Sequence, residues 1–176
     1  SEVLRASAAV CFDGDDILIG TYDGLFRYDT VTGTLRQMRH DDADPKSLVG
    51  DQVRHIVRMP GAWWYATISG ISIAYDGEPG FTNLRHDPAD AGSLPQDYTG
   101  SMVFDSHHRL WLGTFGGIAY LVAFNPRGPF HLGVMGAREG LANPKINALL
   151  VDRDDGIWAS MANGVAMVEA GSHKVF

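Results

Sequence analysis

Short apolar runs recur along the chain at a near-constant interval, each closed by a glycine turn. Ile17-Leu18-Ile19-Gly20-Thr21 leads into Tyr22-Asp23-Gly24-Leu25, and Trp63-Trp64-Tyr65-Ala66-Thr67 into Ile68-Ser69-Gly70-Ile71. Leu110-Trp111-Leu112-Gly113-Thr114 leads into Phe115-Gly116-Gly117-Ile118, and Ile157-Trp158-Ala159-Ser160-Met161 into Ala162-Asn163-Gly164-Val165. The four align without gaps, and Gly24, Gly70, Gly117 and Gly164 are spaced by 46, 47 and 47 residues. Runs of this length, rich in aromatic and β-branched residues and bounded by turn formers, are strands. No stretch holds a 3.6-residue apolar period, so almost no helix is expected.

Each repeat reads as four strands. In the third, the inner strand covers Gly100 to Asp105, and Ser106-His107-His108-Arg109 turns the chain. Leu110 to Thr114 and Gly117 to Phe124 are the second and third strands. Asn125-Pro126-Arg127-Gly128 turns again into an outer strand over Pro129 to Val134. A strand repeat longer than 40 residues indicates a β-propeller. The expected architecture is therefore all-β, with four blades of four antiparallel strands in one segment, 1–176. The blades fall at about 3–40, 48–86, 97–135 and 143–176.

The second strands carry the stacking pattern. Leu18, Trp64, Trp111 and Trp158 are equivalent, and Gly20, Ala66, Gly113 and Ser160 lie two residues on, hence on the same face. A large residue beside a small one lets twisted neighbouring sheets interlock. The opposite face is apolar too (Ile17 and Ile19, Leu110 and Leu112), so both faces of each sheet are expected to be covered.

The connectors repeat as well. Arg39-His40-Asp41-Asp42-Ala43-Asp44-Pro45-Lys46-Ser47-Leu48 matches Arg85-His86-Asp87-Pro88-Ala89-Asp90-Ala91-Gly92-Ser93-Leu94 at seven of ten positions. Their acidic and histidine residues are candidates for a cation. Repetition in both connectors favours a structural role such as an Asx turn.

Composition narrows the function classes. The 176 residues carry a net charge of −7 and no basic stripe, which argues against a nucleic-acid partner. The only cysteine, Cys11, has no internal disulfide partner. No run approaches the roughly 20 apolar residues that cross a bilayer, and Ser1-Glu2-Val3-Leu4 has no signal-peptide pattern. A membrane connection would come only through segments outside this chain. There is no Gly-x-Ser-x-Gly and no phosphate-binding glycine loop, so neither a catalytic residue nor a cofactor is expected.

The run Asp105…Leu110-Trp111-Leu112-Gly113-Thr114-Phe115-Gly116-Gly117-Ile118 resembles the two-component regulator propeller repeat. Asp152…Gly156-Ile157-Trp158-Ala159-Ser160 repeats it, and the first two repeats do so less closely. The connectors are similar to that family's linkers. The resemblance implies a periplasmic, ligand-sensing module of a bacterial signalling receptor, and several such proteins respond to saccharides. Family propellers usually have more blades. Four repeats would then be a fragment of a larger ring, half of an eight-bladed ring made by two copies, or a ring closed by four blades alone.

Propeller ligands usually meet the face formed by the turns between second and third strands. Those turns differ where their flanks repeat, as a shaped binding face requires. Tyr22 and Phe115 offer rings for a sugar, and Asp23, Ser69 and Asn163 offer hydrogen bonds. His107-His108 reads as a surface pair, and Asp152-Arg153-Asp154-Asp155-Gly156 lacks the distal glutamate of a calcium loop. A protein-interaction scaffold is the alternative function. A propeller lyase resembling virginiamycin B lyase is a further one; it needs a His–Glu pair, for which this chain offers His86 with Glu139.

Overall fold

The computed structural model describes residues 7–123, 125 and 127–176. The expected start of the first blade at residue 3, the strand end at Phe124 and the turn residue Pro126 lie outside the described residues. The chain forms two compact units, the first ending at Leu84 and the second beginning at Arg85.

The first unit holds two four-stranded antiparallel meanders. One is β1 (Ser7–Asp13), β2 (Asp16–Thr21), β3 (Gly24–Asp29) and β4 (Leu35–Met38), paired in that order. The other is β5 (Val53–Met59), β6 (Ala62–Thr67), β7 (Gly70–Tyr75) and β8 (Thr82–Leu84), again in chain order. Leu18 and Leu25 of the first sheet pack on Ile56, Trp63 and Tyr65 of the second, with Leu48 and Val53 between. Desolvation pushes the Tyr65 hydroxyl well above its ordinary range. At Gly20 an added Cβ would lie 2.7 Å from Val53 Cγ1, so this position is small because the next sheet's entering strand presses on it.

The second unit repeats the design. β9 (Thr99–Phe104), β10 (Leu110–Thr114), β11 (Gly117–Leu121) and β12 (Leu132–Met135) form its first sheet. β13 (Ile146–Val151), β14 (Gly156–Met161) and β15 (Gly164–Glu169) form the second. Trp111 and Ile118 pack on Leu149, Ile157, Ala159, Ala166 and Val168. A Cβ at Gly113 would lie 2.9 Å from Ile146 Cγ2, the counterpart of Gly20 against Val53. Among the described residues the only helical element in the sheet order is a 3-10 turn at Ala137–Glu139.

Three expectations are corrected. The fourth sheet has three strands, and a single bridge from Val168 to Val175 holds the place of the fourth, flanked by reciprocal Met167–Phe176 backbone bonds. The third strand of the third repeat stops at Leu121 and the outer one starts at Leu132; these two residues are the last pair in register, followed by one bond from the Val122 N–H to the His131 carbonyl (3.0 Å). Pro129 lacks the N–H needed to extend that ladder. Finally, both faces of every sheet are not covered: Trp158 is 41% exposed, whereas Leu18, Trp64 and Trp111 are almost fully buried.

Asp105 explains the aspartate of the repeat. Its buried carboxylate accepts from the backbone N–H groups of His107 (3.0 Å) and Arg109 (2.9 Å) and from the Trp111 indole N–H (3.0 Å). Asp152 does the same in the next sheet. It accepts from Trp158 Nε1 (2.6 Å), Gly156 N and Asp154 N, which hold its carboxyl below the usual range. One side chain thus closes the first hairpin and orients the large residue of the stacking face.

Burial pushes the His55 imidazole on β5 below its ordinary value, and burial beside Arg109 does the same for His173. A histidine whose folded-state value is depressed binds its proton more readily when the chain is unfolded. Stability is then full above the unfolded value of about 6.5 and falls as pH drops through the folded one. The urea midpoint is expected to decrease between pH 7 and pH 5, and replacing both histidines with Gln should flatten that slope.

Candidate functional site

The turns between second and third strands share one frame. Thr21, Thr67 and Thr114 are buried, and each Oγ1 donates to the carbonyl of the turn glycine: Gly24 (2.9 Å), Gly70 (2.9 Å) and Gly117 (2.8 Å). The same oxygen accepts from the N–H of the second tip residue: Asp23 (2.9 Å), Ser69 (3.0 Å) and Gly116 (3.1 Å). The glycine closes the turn with positive φ, +111° at Gly24 and +133° at Gly117, conformations that L side chains rarely adopt. In the fourth turn Met161 replaces the threonine and has no hydroxyl to make the clip. A rigid frame therefore presents two tip residues that differ in every repeat.

In the first unit, Tyr22 is half exposed and its hydroxyl accepts from Arg54 Nη1 at 2.8 Å, with the guanidinium 5.3 Å from the ring centroid. Asp23 pairs with Arg39 at 2.8 Å, and Arg39 in turn reaches Asp51 at 3.1 Å. Gln37 Nε2 donates to the Asp23 carbonyl at 2.6 Å. Ser69 is half-buried against Gly50, where an added Cβ would meet its side chain at 2.8 Å. The Asp51 backbone carbonyl accepts the Gly24 N–H at 2.7 Å, so the segment 50–54 joins the Tyr22-Asp23 turn to Ser69. These three predicted residues stand at the same end of their sheets.

In the second unit, Phe115 stacks on Tyr98, with ring centroids 3.7 Å apart and planes 13° from parallel. Lys145 Nζ lies 5.9 Å from the Phe115 centroid. Asn163 is exposed on the β14–β15 turn, and no described contact ties it to the Phe115 group. Tyr98, Lys145, Arg54 and Arg39 are partners that sequence reading missed. Each sits beside its turn only through sheet packing, so no local pattern marks it.

The connectors are structural. His40 Nδ1 lies 2.6 Å from the Leu48 carbonyl, and His86 Nδ1 2.6 Å from that of Leu94. Asp41 accepts from Ala43 N and Asp87 from Ala89 N, both at 2.9 Å. Ser47 and Ser93 each accept from the N–H of those aspartates at 2.9 Å. These are Asx turns, and their carboxylates are engaged by backbone. Glu139 likewise accepts from Gly136 N at 2.7 Å, closing the 3-10 turn. His86 and Glu139 are thus each committed to their own loops. His107 is exposed, its N–H bound to Asp105 and its ring 3.6 Å from Asp155, which also accepts from Ser106.

The largest concavity described in the first unit, about 480 Å³, lies between its two sheets and is lined by Arg27, Arg39, Lys46, Tyr65 and Phe81 among others. None of Tyr22, Asp23 and Ser69 lines it. Arg27 there is held by Asp13 (3.1 Å) and Asp16 (2.5 Å), so its charge is already matched.

Fold and turn frame together define a β-propeller, and solved structures agree. The extracellular domain of a B. thetaiotaomicron protein assigned as a hybrid two-component system superposes with a TM-score of 0.73 at 21% identity, over 97% of this chain and 23% of that one. A streptogramin B lyase matches with a TM-score of 0.61 at 14% identity, over 97% of this chain and 53% of that one. The Neurospora crassa Pan2 WD40 domain matches with a TM-score of 0.62 at 13% identity, over 97% of this chain and 49% of that one. The chain therefore spans under a quarter of the first and about half of the other two. No protein-family model and no curated protein sequence matches it. Among the described residues no helix is long and apolar enough to cross a membrane.

Proposed function

We propose that the chain is a ligand-sensing propeller segment of a bacterial signalling receptor, located outside the cytoplasm. The ligand is a small molecule of the saccharide class, held at the turns between second and third strands. The observation that carries this reading is a threonine-clipped turn frame repeated three times with unlike tips. Phe115 on Tyr98 with Lys145 nearby, and Tyr22 with Arg54, place an aromatic surface beside polar groups. Sugar rings are bound by such pairings of apolar faces with hydrogen-bonding neighbours. The likeness to the extracellular domain of a two-component system supports the receptor context and the compartment.

A thermal-shift screen against an oligosaccharide panel tests the reading. A ligand present at a hundred times its Kd adds about 2.7 kcal/mol, which raises Tm by several degrees in a protein of this size. The shift should shrink in Phe115→Ala or Tyr22→Ala. Absence of any stabilising saccharide, together with clear capture of a protein partner, would replace this reading with an interaction scaffold.

A further inference from the structure

The two units fill the same place in the repeat differently. In the second unit, Trp111 and its register partner Tyr120 lie with ring centroids 5.0 Å apart, and Tyr120 lies 4.4 Å from the His173 ring. The first unit has Leu18 and Arg27 at those two register positions. Arg27 turns its guanidinium onto Asp13 and Asp16, so an ion pair stands where the second unit has a cluster of rings. Beside it runs the groove between the two sheets of the first unit, about 480 Å³ and within the range of about 300–1,000 Å³ typical of small-molecule sites. Its wall is apolar: Leu18, Met38, Tyr65, Ala74 and Phe81 line it, and Phe81 meets the Tyr65 ring edge-on, with centroids 5.8 Å apart. Tyr65 is 3% exposed, and among the described residues its hydroxyl has no hydrogen-bond partner.

The rim of the groove leaves one charge unmatched. Arg27 and Arg39 are paired with aspartates, and Asp41 and Asp44 are turned onto backbone N–H groups. Glu78 has a partner of its own. Lys46 is exposed, and among the described residues its ammonium has no ion pair. Its backbone is fixed beside the apolar wall: the Lys46 carbonyl accepts the Phe81 N–H at 2.8 Å, and the Lys46 N–H donates to Asp44 Oδ1 at 2.9 Å. We propose that this groove binds a small aromatic carboxylate, with its ring against Met38 and Phe81 and its carboxylate on the Lys46 ammonium. The repeat itself packs rings into this place where its own residues supply them, and thioether and phenyl side chains pack favourably on a flat ring. A carboxylate is the charge complement of Lys46. The site is separate from the strand turns and does not depend on saccharide binding there.

Amide-resonance titration of the chain with millimolar phenylacetate tests the proposal. Saturable shifts are expected at Met38, Lys46, Ala74 and Phe81, with the turn amides of Tyr22, Asp23, Ser69 and Phe115 unmoved. Phenylacetamide, the same ring without the charge, should bind about fivefold more weakly, the scale of one exposed ion pair. Lys46→Gln, at an exposed position that leaves the fold intact, should weaken phenylacetate by that factor and leave phenylacetamide unchanged. Ala74→Phe, which puts a ring into the groove from β7, should abolish the shifts. No saturable shift, shifts centred on the strand turns, or equal binding of the acid and the amide would overturn it.

Discussion

Trp111→Ala is expected to cost about 3–5 kcal/mol, the range for emptying a fully buried tryptophan site, while Trp158→Ala costs under about 1.5 kcal/mol at a half-exposed one. The two residues occupy one repeat position, and each donates its indole N–H to an aspartate six residues earlier. They differ in what covers the ring: Trp111 is packed by the following sheet and Trp158 is 41% exposed. Urea unfolding of the two variants reads the difference as a shift in midpoint. Equal losses would mean that the ring matters within its own sheet and that sheet-on-sheet stacking contributes little.

Asp105→Ala is the second large effect, expected at about 3 kcal/mol from the loss of charge-assisted bonds and the stranding of buried donors. Its removal leaves the Trp111 indole N–H and the His107 and Arg109 backbone N–H groups without their acceptor. Arg109, 3.3 Å from the same carboxylate, loses its counter-charge. Asp105→Asn should recover part of the loss, since an amide oxygen still accepts but carries no charge. Asp152→Ala, at the half-buried equivalent, should destabilise less. Unfolding midpoints of the three variants check the order.

The legible part of the sequence was what repeats. The apolar runs, the turn glycines and the Gly20 and Gly113 positions each serve a backbone or packing need that recurs in every blade, so the period exposed them together. The connectors were readable for the same reason: His40, Asp41 and Ser47 and their counterparts repeat because each makes the same bond to backbone within its loop. The outer edge was less legible. Apolar character alone extends the third strand to Phe124, yet its last pair in register is Leu121 with Leu132. Covered faces were expected throughout because apolar alternation does not say whether a neighbour is there, and Trp158 looks identical to Trp111 in sequence.

The binding surface was legible only as a list of tips. Tyr22, Asp23 and Ser69 stand together because segment 50–54 runs between their turns, a relation of sheet to sheet that no local window contains. Phe115 was singled out for its ring, but one face of it is taken by Tyr98, 17 residues earlier in the chain. What remains for a ligand there is the surface shared with Lys145. Charged neighbours such as Arg54 and Arg39 decide the polarity of the first patch, and they come from outside the turn motif altogether.

The most direct measurement is an amide-resonance titration of the chain with the saccharide that stabilises it best. The account predicts shifts concentrated at residues 22–23 and 69 of the first unit or at 98, 115–116 and 145 of the second, with the connector amides at 41–47 and 87–93 unmoved. Shifts confined to those connectors, or to the groove lined by Arg27 and Phe81, would contradict a binding face built on the strand turns.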